Sequence, residues 1–346
     1  MRSFIDGGES KGSSTGWGIS QTRTLAEAKV FVKRVPVTQR EHDNLFSTAN
    51  LYRLPPFCSY GLGSPGFNVF RELVMHLETT QWVLQGETAS FPLLHHYRLL
   101  PHSGTHAEVD RAAHRDLVES WNGNQNVGQY ALDRAKAPYE LILCLEHFPH
   151  VLESWLRDNP GKLRQSVEDV GTTIAFLQAR GIIHFDAHFG NILTDGHQTY
   201  LSDFGLALDQ SFALGDDERR FFEQHTDYDT GELLRNLGRV VLWPYVSASG
   251  DDQQRIRERY DIPHDLEPHE LGPVLLDNIE SIHKERLLEL DPDYVKLVVK
   301  HRGAIALAHG FFCEMWHNNA KDTPFPQREL RRLLEETESC DTNARL

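Results

Sequence analysis

The spacing of apolar residues differs between the two parts of the chain. In the first part, apolar positions alternate or form short runs bounded by turn residues, and this pattern predicts β-strands. The predicted strands span residues 19–24, 29–35, 91–100 and 140–146. A helix is predicted between the second and third strands, at 68–84, because Val69, Leu73 and Leu77 recur at helical spacing.

In the second part, apolar residues recur every three or four positions, which predicts helices. The predicted helices span 151–157, 163–177, 275–290, 294–316 and 327–336. A short hairpin is predicted after the second of them, with strands at 191–193 and 199–201 joined by a turn at Asp195-Gly196. Strands therefore precede most of the helices, and the fold class is predicted to be α+β.

Two stretches between these elements are predicted to lack regular structure. Residues 36–66 contain Leu54-Pro55-Pro56 and three glycines, which are typical of turns and predict an insertion. Residues 102–130 are polar and rich in histidine, and we expect them to cross the surface. These histidines lack carboxylate or cysteine partners at ligand spacing, so a metal site is not favoured there.

Composition narrows the possible classes of protein. The chain has 346 residues, 40% of them hydrophobic, which is enough for one large or two smaller cores. Its formal net charge of -15, without a basic block, argues against a nucleic-acid partner. No segment resembles a signal peptide or a transmembrane helix, so we expect a soluble, cytoplasmic protein without a membrane partner. Four cysteines are expected to be reduced thiols: Cys58, Cys144, Cys313 and Cys340.

The residues that carry chemistry lie between positions 184 and 206. Asp186 and Asn191 are five residues apart in the run His-Phe-Asp-Ala-His-Phe-Gly-Asn, and Asp203-Phe204-Gly205 follows twelve residues after Asn191. This ordered pair of motifs resembles the catalytic and metal loops of the protein-kinase-like superfamily. Phosphoryl transfer needs a carboxylate that holds the attacking hydroxyl and two oxygen ligands that hold Mg²⁺. The resemblance assigns the first role to Asp186 and the second to Asn191 and Asp203.

An acidic pair beyond these motifs has two possible roles. Asp227 and Asp229 stand at the start of a predicted helix that carries Leu233, Leu234 and Leu237. Either carboxylate could brace the catalytic loop from that helix, but capping the helix N-terminus is the favoured role.

The resemblance also implies residues that bind ATP. Lys33, on the strand at 29–35, matches the strand lysine that pairs nucleotide phosphates, with Lys29 as the alternative. The lysine needs a glutamate partner to hold it in position. Glu72 on the following helix is favoured over Glu41, because Glu41 lies in the predicted insertion.

Two further groups of nucleotide-binding residues are implied. Gly16 and Gly18 could supply a flexible phosphate-covering loop, although their spacing is not Gly-x-Gly-x-x-Gly and a disordered leader is the alternative. Leu145, Glu146 and His147 lie at the end of the fourth predicted strand. By analogy they form the hinge whose backbone groups pair the adenine edge.

By this resemblance the chain has a bilobal, kinase-like fold. The N-terminal lobe would cover residues 1–146, with the insertion at about 36–66. The larger helical lobe would cover residues 147–346 and carry the catalytic and metal loops. The implied cofactors are ATP and Mg²⁺, and the implied partner is an unknown hydroxyl-bearing acceptor.

Three departures from the protein-kinase pattern bear on that acceptor. Phe185 stands where many protein kinases carry arginine, so the usual partner of a phosphate on segment 206–226 is missing. His188, two residues after Asp186, resembles the aminoglycoside phosphotransferase branch. No Ala-Pro-Glu follows Asp203-Phe204-Gly205, which removes the usual sign of a peptide-docking loop.

The full Asp-Phe-Gly-Leu-Ala run favours protein kinases, whereas His188 favours small-molecule kinases. We expect an ATP- and Mg²⁺-dependent phosphotransferase of the bacterial protein Ser/Thr kinase type. One alternative is a phosphotransferase that acts on an antibiotic or a sugar. The other is a nucleotide-binding pseudokinase that serves as an interaction module without catalysis.

Overall fold

The structure, a computed structural model, describes residues 13–15, 18–25, 28–61, 63–102 and 109–343. The fold is α+β, as predicted, with a small antiparallel sheet in the N-terminal part and helices in the C-terminal part. The chain divides into two compact units, the first comprising Met1–Pro149 and Ser202–Glu218, the second His150–Leu201 and Arg219–Leu346. Ser202–Glu218, which the resemblance places in the C-terminal lobe, therefore belongs to the first unit.

A five-stranded antiparallel sheet forms the framework of the first unit. Its strands are β1 (Ser13–Thr15), β2 (Gly18–Leu25), β3 (Ala28–Val37), β4 (Leu94–Pro101) and β5 (Tyr139–Glu146). They lie in the order β1-β2-β3-β5-β4. Four of these strands are predicted by the sequence pattern, and β1 is not. Pro101 ends the edge strand β4, where a residue without an N–H is tolerated.

Two helices follow β3. The short helix α1 (Gln39–His42) lies in the predicted insertion, together with a 3-10 helix at Pro56–Tyr60. The predicted long helix is α2 (Val69–Leu84). Asn68 caps it, because its side-chain oxygen accepts the N–H of Phe70 at 3.1 Å.

Helix α2 packs on one face of the sheet. The buried cluster between them contains Val35, Val37, Val69, Phe70, Leu73, Leu94, Leu141, Leu143 and Leu145. Because side chains alternate along a strand, Lys33 lies on the same face of β3 as Val35 and Val37. The sheet therefore places Lys33 on the face that α2 covers, and α2 carries Glu72.

The histidine-rich stretch contains two helices that the sequence pattern does not predict, α3 (Arg111–Ser120) and α4 (Gln125–Ala135). Asp110 and Asn124 begin them, and each side chain accepts two backbone N–H groups. Helix α4 packs against the insertion through a buried cluster of Tyr52, Leu54, Cys58, Phe67, Trp121, Val127 and Tyr130. The insertion is thus supported by a second core of its own.

The remaining strands are short, namely β6 (His150–Val151), β7 (Ile182–Ile183), β8 (Ile192–Thr194), β9 (Thr199–Leu201) and, in the first unit, β10 (Leu208–Asp209). In the second unit, β8 and β9 form the predicted hairpin and β6 pairs with the other edge of β8. The later helices are α5 (Leu152–Asp158), α6 (Leu163–Gln178), α7 (Asp216–Glu223), α8 (Tyr228–Arg239), α9 (Leu242–Ser247), α10 (Gly250–Arg259), α11 (Pro268–Asp277), α12 (Ile279–Lys284), α13 (Pro292–His317) and α14 (Gln327–Asn343).

Two predicted helices are corrected by the structure. The helix predicted at 275–290 is interrupted at Asn278, where φ and ψ of -104° and 9° separate α11 from α12. Helix α13 is kinked at His301, with φ of -104° and ψ of 15°. The kink interrupts the regular helical repeat, and Val298 is buried whereas Leu297 is half-buried.

Two expectations from composition can be compared with the structure. Cys58, Cys144 and Cys313 are free thiols, as predicted, and the side chain of Cys340 lies outside the described residues. Within the described ranges, no helix combines the length and the apolar character that crossing a membrane requires.

Candidate active site

Lys33, Glu72 and Asp203 meet in the first unit, although Glu72 is 39 residues and Asp203 170 residues from Lys33 along the chain. Lys33 Nζ donates to Glu72 Oε1 and to Asp203 Oδ1, each at 2.7 Å. The predicted charge pair between Lys33 and Glu72 is therefore confirmed. Lys29, the alternative lysine, is exposed.

Burial and charge together determine the ionisation of this group. The Lys33 side chain is 12% exposed and that of Glu72 is 5% exposed. Burial alone would lower the pKa of Lys33, but the charges of Asp203 and Glu72 raise it above its usual value. Burial alone would raise the pKa of Glu72, but Lys33 and His76 lower it. Both side chains are therefore charged at neutral pH, and two carboxylates hold the ammonium in one position.

The Asp203 carboxylate is presented by an unusual turn. Its φ of +64° lies in the left-handed region that residues other than glycine rarely adopt. The next residue, Phe204, is completely buried, and its ring centroid lies 5.2 Å from that of His76 and 6.0 Å from that of Phe91. The buried Phe204 anchors this turn, while the Asp203 side chain keeps 38% of its surface exposed.

A buried ion pair joins α2 to the segment that follows the Asp-Phe-Gly run. Arg71 Nη2 lies 2.6 Å from Glu218 Oε1, and the two side chains are 1% and 5% exposed. Arg71 Nε also donates to the carbonyl of Thr48 at 2.7 Å, and Glu218 Oε2 accepts the N–H of Gly215 at 3.0 Å. Because Arg71 directly precedes Glu72 on α2, the Arg71–Glu218 ion pair also restrains Glu72, which holds Lys33. Neither Arg71 nor Glu218 was predicted to have a role.

Glu41, the rejected partner for Lys33, has a structural role. Its fully buried carboxylate accepts the N–H of Thr38 at 2.9 Å, the N–H of Val69 at 3.1 Å and the hydroxyl of Tyr130 at 3.1 Å. These bonds tie the insertion to the start of α2 and to α4. Its contacts thus agree with the preference for Glu72.

The predicted glycine loop is described only in part. Gly18 begins β2 and pairs with Thr15 of β1. Gly16 lies outside the described residues. Strand β1 precedes Gly18, and the sequence pattern did not predict this strand.

The predicted hinge residues lie at the end of β5. Leu145 is buried in the sheet. The N–H of Glu146 donates to the carbonyl of Leu93 at 2.8 Å, and its carboxylate accepts the N–H of Leu93 at 3.2 Å. The N–H of Glu146 is therefore engaged within the first unit. His147 follows the strand and is half-buried.

In the second unit, the loop between β7 and β8 brings Asp186 and Asn191 together. Asn191 Nδ2 donates to Asp186 Oδ2 at 2.7 Å and to the Asp186 carbonyl at 3.0 Å. His188 Nε2 lies 3.5 Å from Asp186 Oδ1. A Cβ on Gly190 would lie only 2.7 Å from Cε1 of His188, so a larger residue at that position would displace the His188 ring. These contacts fix the Asp186 carboxylate, whose side chain is 28% exposed.

Helix α8 braces this loop through Asp229. Asp229 Oδ2 accepts the N–H of His184 at 2.7 Å, and Oδ1 accepts the N–H of Phe185 at 2.8 Å. Asp227 occupies the N-cap position and makes no side-chain capping bond. Of the two roles considered for these aspartates, the favoured one, capping, was wrong, and bracing by Asp229 is observed.

Phe185, which stands in place of the protein-kinase arginine, is a packing residue. Its φ is +62° and its side chain is completely buried. The ring centroid lies 5.4 Å from that of Phe221 and 4.8 Å from that of Tyr228. The position therefore anchors the loop in an aromatic cluster and offers no cation to a phosphate.

Asp229→Asn should destabilise the protein by about 1–3 kcal/mol, because the amide NH₂ would face one of the two buried N–H donors and leave it unpaired. Burial raises the pKa of Asp229 to about 7, against the effect of the N–H groups of His184 and Phe185. The folded state therefore binds this proton more tightly than the unfolded state. Its contribution to stability is greatest below about pH 4, decreases as the pH rises to about 7, and is constant above that.

Urea unfolding at several pH values measures both effects. The Asp229→Asn variant should lose the part of the pH dependence between about 4 and 7, because asparagine does not titrate. Asp227→Asn, on the same helix, should keep it. If the free energy of unfolding of Asp229→Asn kept the wild-type dependence on pH between about 4 and 7, the titration would belong to another group.

A cavity of about 1030 Å³ lies in the second unit beside the loop that carries Asp186 and Asn191. His188 and Phe189 form part of its wall, and most of the rest comes from α5, the end of α8, α9 and residues 286–292. Its lining residues are scattered over these separate segments, and no local pattern in the sequence marks them. The cavity could therefore not be predicted from the sequence.

No protein-family model matches the chain, and no curated protein matches it either. In the part of the chain that the structure describes, no group of three or more His, Cys, Asp and Glu residues is placed to hold a metal ion. A functional assignment must therefore rest on the two groups of residues around Lys33 and Asp186.

Proposed function

We propose that this protein is an ATP- and Mg²⁺-dependent phosphotransferase with a bilobal, kinase-like fold, which moves the terminal phosphate of ATP to a hydroxyl. The observation that carries the proposal is the position of Lys33 Nζ, 2.7 Å from both Glu72 and Asp203. Structural ion pairs also bury charge. Here, however, the lysine comes from a strand, the glutamate from a helix and the aspartate from an Asp-Phe-Gly run, which is the combination that protein kinases use to position ATP and its metal, and this supports the proposal.

The nucleotide side of the reaction is assigned to the first unit. Lys33 would pair with the phosphates of ATP, and Glu72 would hold it in place. Mg²⁺ prefers oxygen ligands and neutralises charge on the phosphates, and the Asp203 carboxylate and the amide oxygen of Asn191 would hold it. Asp203 fits this ion, because its carboxylate keeps 38% of the side-chain surface exposed.

The acceptor side is assigned to Asp186. Its carboxylate would accept a hydrogen bond from the acceptor hydroxyl, orient that oxygen towards the terminal phosphorus and take the proton as the new O–P bond forms. The bond from phosphorus to the leaving oxygen breaks, and ADP is released. Asn191 supports this role, because its bond to Asp186 Oδ2 fixes the carboxylate before the acceptor binds.

The cavity favours a small-molecule acceptor over a protein acceptor. Pockets for small ligands typically measure roughly 300–1,000 Å³. The cavity beside His188 measures about 1030 Å³, so it can hold a complete small molecule next to the catalytic loop. The aminoglycoside-phosphotransferase-like His188 agrees with this choice.

Lys33→Met should reduce Mg²⁺-dependent ADP production by a factor on the order of a hundred, because the phosphates lose their fixed cation. Lys29→Met is the matched control, since Lys29 is an exposed lysine on the same strand, and its activity should equal that of the wild type. Wild-type protein that binds ATP but forms no ADP with any acceptor would be a pseudokinase. Failure to bind ATP at all would overturn the proposal.

A further inference from the structure

We infer that His76 is a positioning residue of the proposed active site, which directs an N–H on its Nε2 at the Glu72 carboxylate and so helps Glu72 to hold Lys33. The inference rests on the proposed function and adds a further residue to its nucleotide side. It follows from the burial of His76, the direction of its ring and the small number of partners of Glu72.

His76 lies deep inside the first unit. It is on α2, one helical turn after Glu72, and none of its surface is exposed. Within the described ranges, neither of its ring nitrogens has a hydrogen-bond partner. Burying polar atoms in this way costs free energy, which an apolar residue of similar size would avoid. Packing alone therefore does not account for a histidine at this position.

The ring of His76 is directed at Glu72. His76 Nε2 lies 3.7 Å from Glu72 Oε1, the same oxygen that accepts Lys33 Nζ at 2.7 Å. The ring also meets Phe204 edge-on, with centroids 5.2 Å apart and an angle of 89° between the planes. Because Phe204 is completely buried, this contact limits rotation of the His76 ring and keeps Nε2 near Glu72.

Glu72 has few partners that could keep it in place. Among the described residues, Lys33 is the only group that donates a hydrogen bond to its carboxylate. The Glu72 side chain is 5% exposed, so water can contact little of it. A glutamate held by Lys33 alone would follow the lysine when the ammonium turns to a phosphate. A donor on the same helix as Glu72 would prevent this movement.

The charge of Glu72 determines which nitrogen of His76 carries the proton. Burial alone would raise the pKa of Glu72, but Lys33 and His76 lower it, so the carboxylate is charged and can only accept hydrogen bonds. A bare Nε2 would bring its lone pair towards this charge, whereas an Nε2–H brings its positive end. We therefore expect the neutral ring to carry its proton on Nε2.

The contact between His76 and Glu72 has room to tighten. A distance of 3.7 Å is longer than a hydrogen bond, so the two groups attract each other here without forming one. When ATP binds, Lys33 would share its charge between Glu72 and the phosphates and hold Glu72 less strongly. A small rotation of the Glu72 side chain would then bring Oε1 within hydrogen-bond distance of Nε2. His76 would thus keep Glu72 in place while Lys33 binds the nucleotide.

Three variants at position 76 separate the N–H group from packing. Glutamine places its NH₂ close to the position of Nε2, asparagine places its NH₂ close to that of Nδ1, and methionine fills a similar volume without a donor. Calorimetric titration should show that His76→Gln binds ATP with Mg²⁺ like the wild type. His76→Asn and His76→Met should bind it roughly fivefold more weakly, with the KM for ATP raised by a similar factor.

Urea unfolding distinguishes positioning from a structural role. His76→Met should be at least as stable as the wild type, because it no longer buries two unpaired nitrogens, and yet it should bind ATP more weakly. Thr79→Val is the matched control. Thr79 is completely buried on the same helix, and its hydroxyl donates to the carbonyl of His76 at 3.3 Å. Its replacement should leave ATP affinity unchanged.

Nuclear magnetic resonance tests the donor without nucleotide. Nitrogen–proton correlation spectra show which ring nitrogen of a histidine carries the proton, and the signal of His76 is the one that His76→Gln lacks. The proton should be on Nε2 in the wild type. In Glu72→Leu, which removes the carboxylate, this preference should decrease.

The outcomes separate this inference from the proposed function. Wild-type ATP affinity in His76→Met, equally weak binding by the glutamine and asparagine variants, or a proton on Nδ1 would each overturn the role of His76 and leave the enzyme. A wild-type protein that binds no ATP would remove the proposed function. The spectra would then decide alone whether His76 is a donor to Glu72.

Discussion

Asp203→Ala should abolish Mg²⁺-dependent turnover, whereas Asp186→Ala should lower kcat by a factor on the order of a hundred or more and leave ATP affinity close to that of the wild type. The two carboxylates are assigned to different reactants. Asp203 lies 2.7 Å from Lys33 and would hold the metal on the nucleotide phosphates. Asp186 is held by Asn191 at 2.7 Å and would orient the acceptor hydroxyl.

Calorimetric titration with ATP and Mg²⁺, together with steady-state kinetics, measures this difference. Asp203→Asn and Asp186→Asn are the matched variants, because they keep side-chain volume and remove only the charge. They should show the same division as the alanine variants. A loss of ATP affinity of roughly tenfold in Asp186→Ala would contradict the role assigned to it.

The placement of Lys33 and Glu72 was predictable because it depends on local patterns. Alternation along 29–35 determines which side chains share a face, and the helix that begins beyond Asn68 has a recognisable cap and apolar stripe. Glu41 could be set aside for the same reason, since the prolines and glycines that follow it indicate an insertion. In each case the residues that form the pattern lie within a few positions of one another, although the contact between Lys33 and Glu72 joins residues 39 positions apart.

The Arg71–Glu218 pair could not be predicted, because 147 residues separate its members and a buried ion pair has no local signature. The kink at His301 could not be predicted either, because the helical spacing of apolar residues continues through it in the sequence. Helices α3 and α4 are a different case. Asp110 and Asn124 were readable capping residues, but the apolar face of α4 packs on the insertion, whose structure had not been predicted.

Phe185 stands where many protein kinases carry an arginine. The contacts around it show how the loop that carries Asp186 is held in place. Phe185 is buried among aromatic rings and Asp229 accepts the N–H groups of His184 and Phe185, so the loop that carries Asp186 is fixed by packing and hydrogen bonds. The segment before Glu218 is fixed to α2 by Arg71. Neither contact needs a phosphate, and we therefore expect activity in the unphosphorylated protein.

Arg71→Met should destabilise the protein by about 3–5 kcal/mol, because it leaves the buried Glu218 carboxylate without its cation. Water could do little to solvate the unpaired carboxylate, because the Arg71 side chain is 1% exposed and that of Glu218 is 5% exposed. Its guanidinium also lies 4.9 Å from the ring centroid of Phe67 and donates to the carbonyl of Thr48 at 2.7 Å. Glu218→Gln should have a smaller effect, because an amide oxygen can still accept a hydrogen bond from Arg71.

Urea unfolding of the single variants and of Arg71→Met/Glu218→Leu tests this expectation. The double variant should be more stable than Arg71→Met alone, because no buried charge remains unpaired. Arg259→Met, which removes the exposed partner of Glu285, should change stability little. Because Arg71 adjoins Glu72, Arg71→Met should also raise the KM for ATP at temperatures where it is folded. If Arg71→Met were as stable as the wild type and had an unchanged KM for ATP, neither the segment before Glu218 nor α2 would depend on this ion pair.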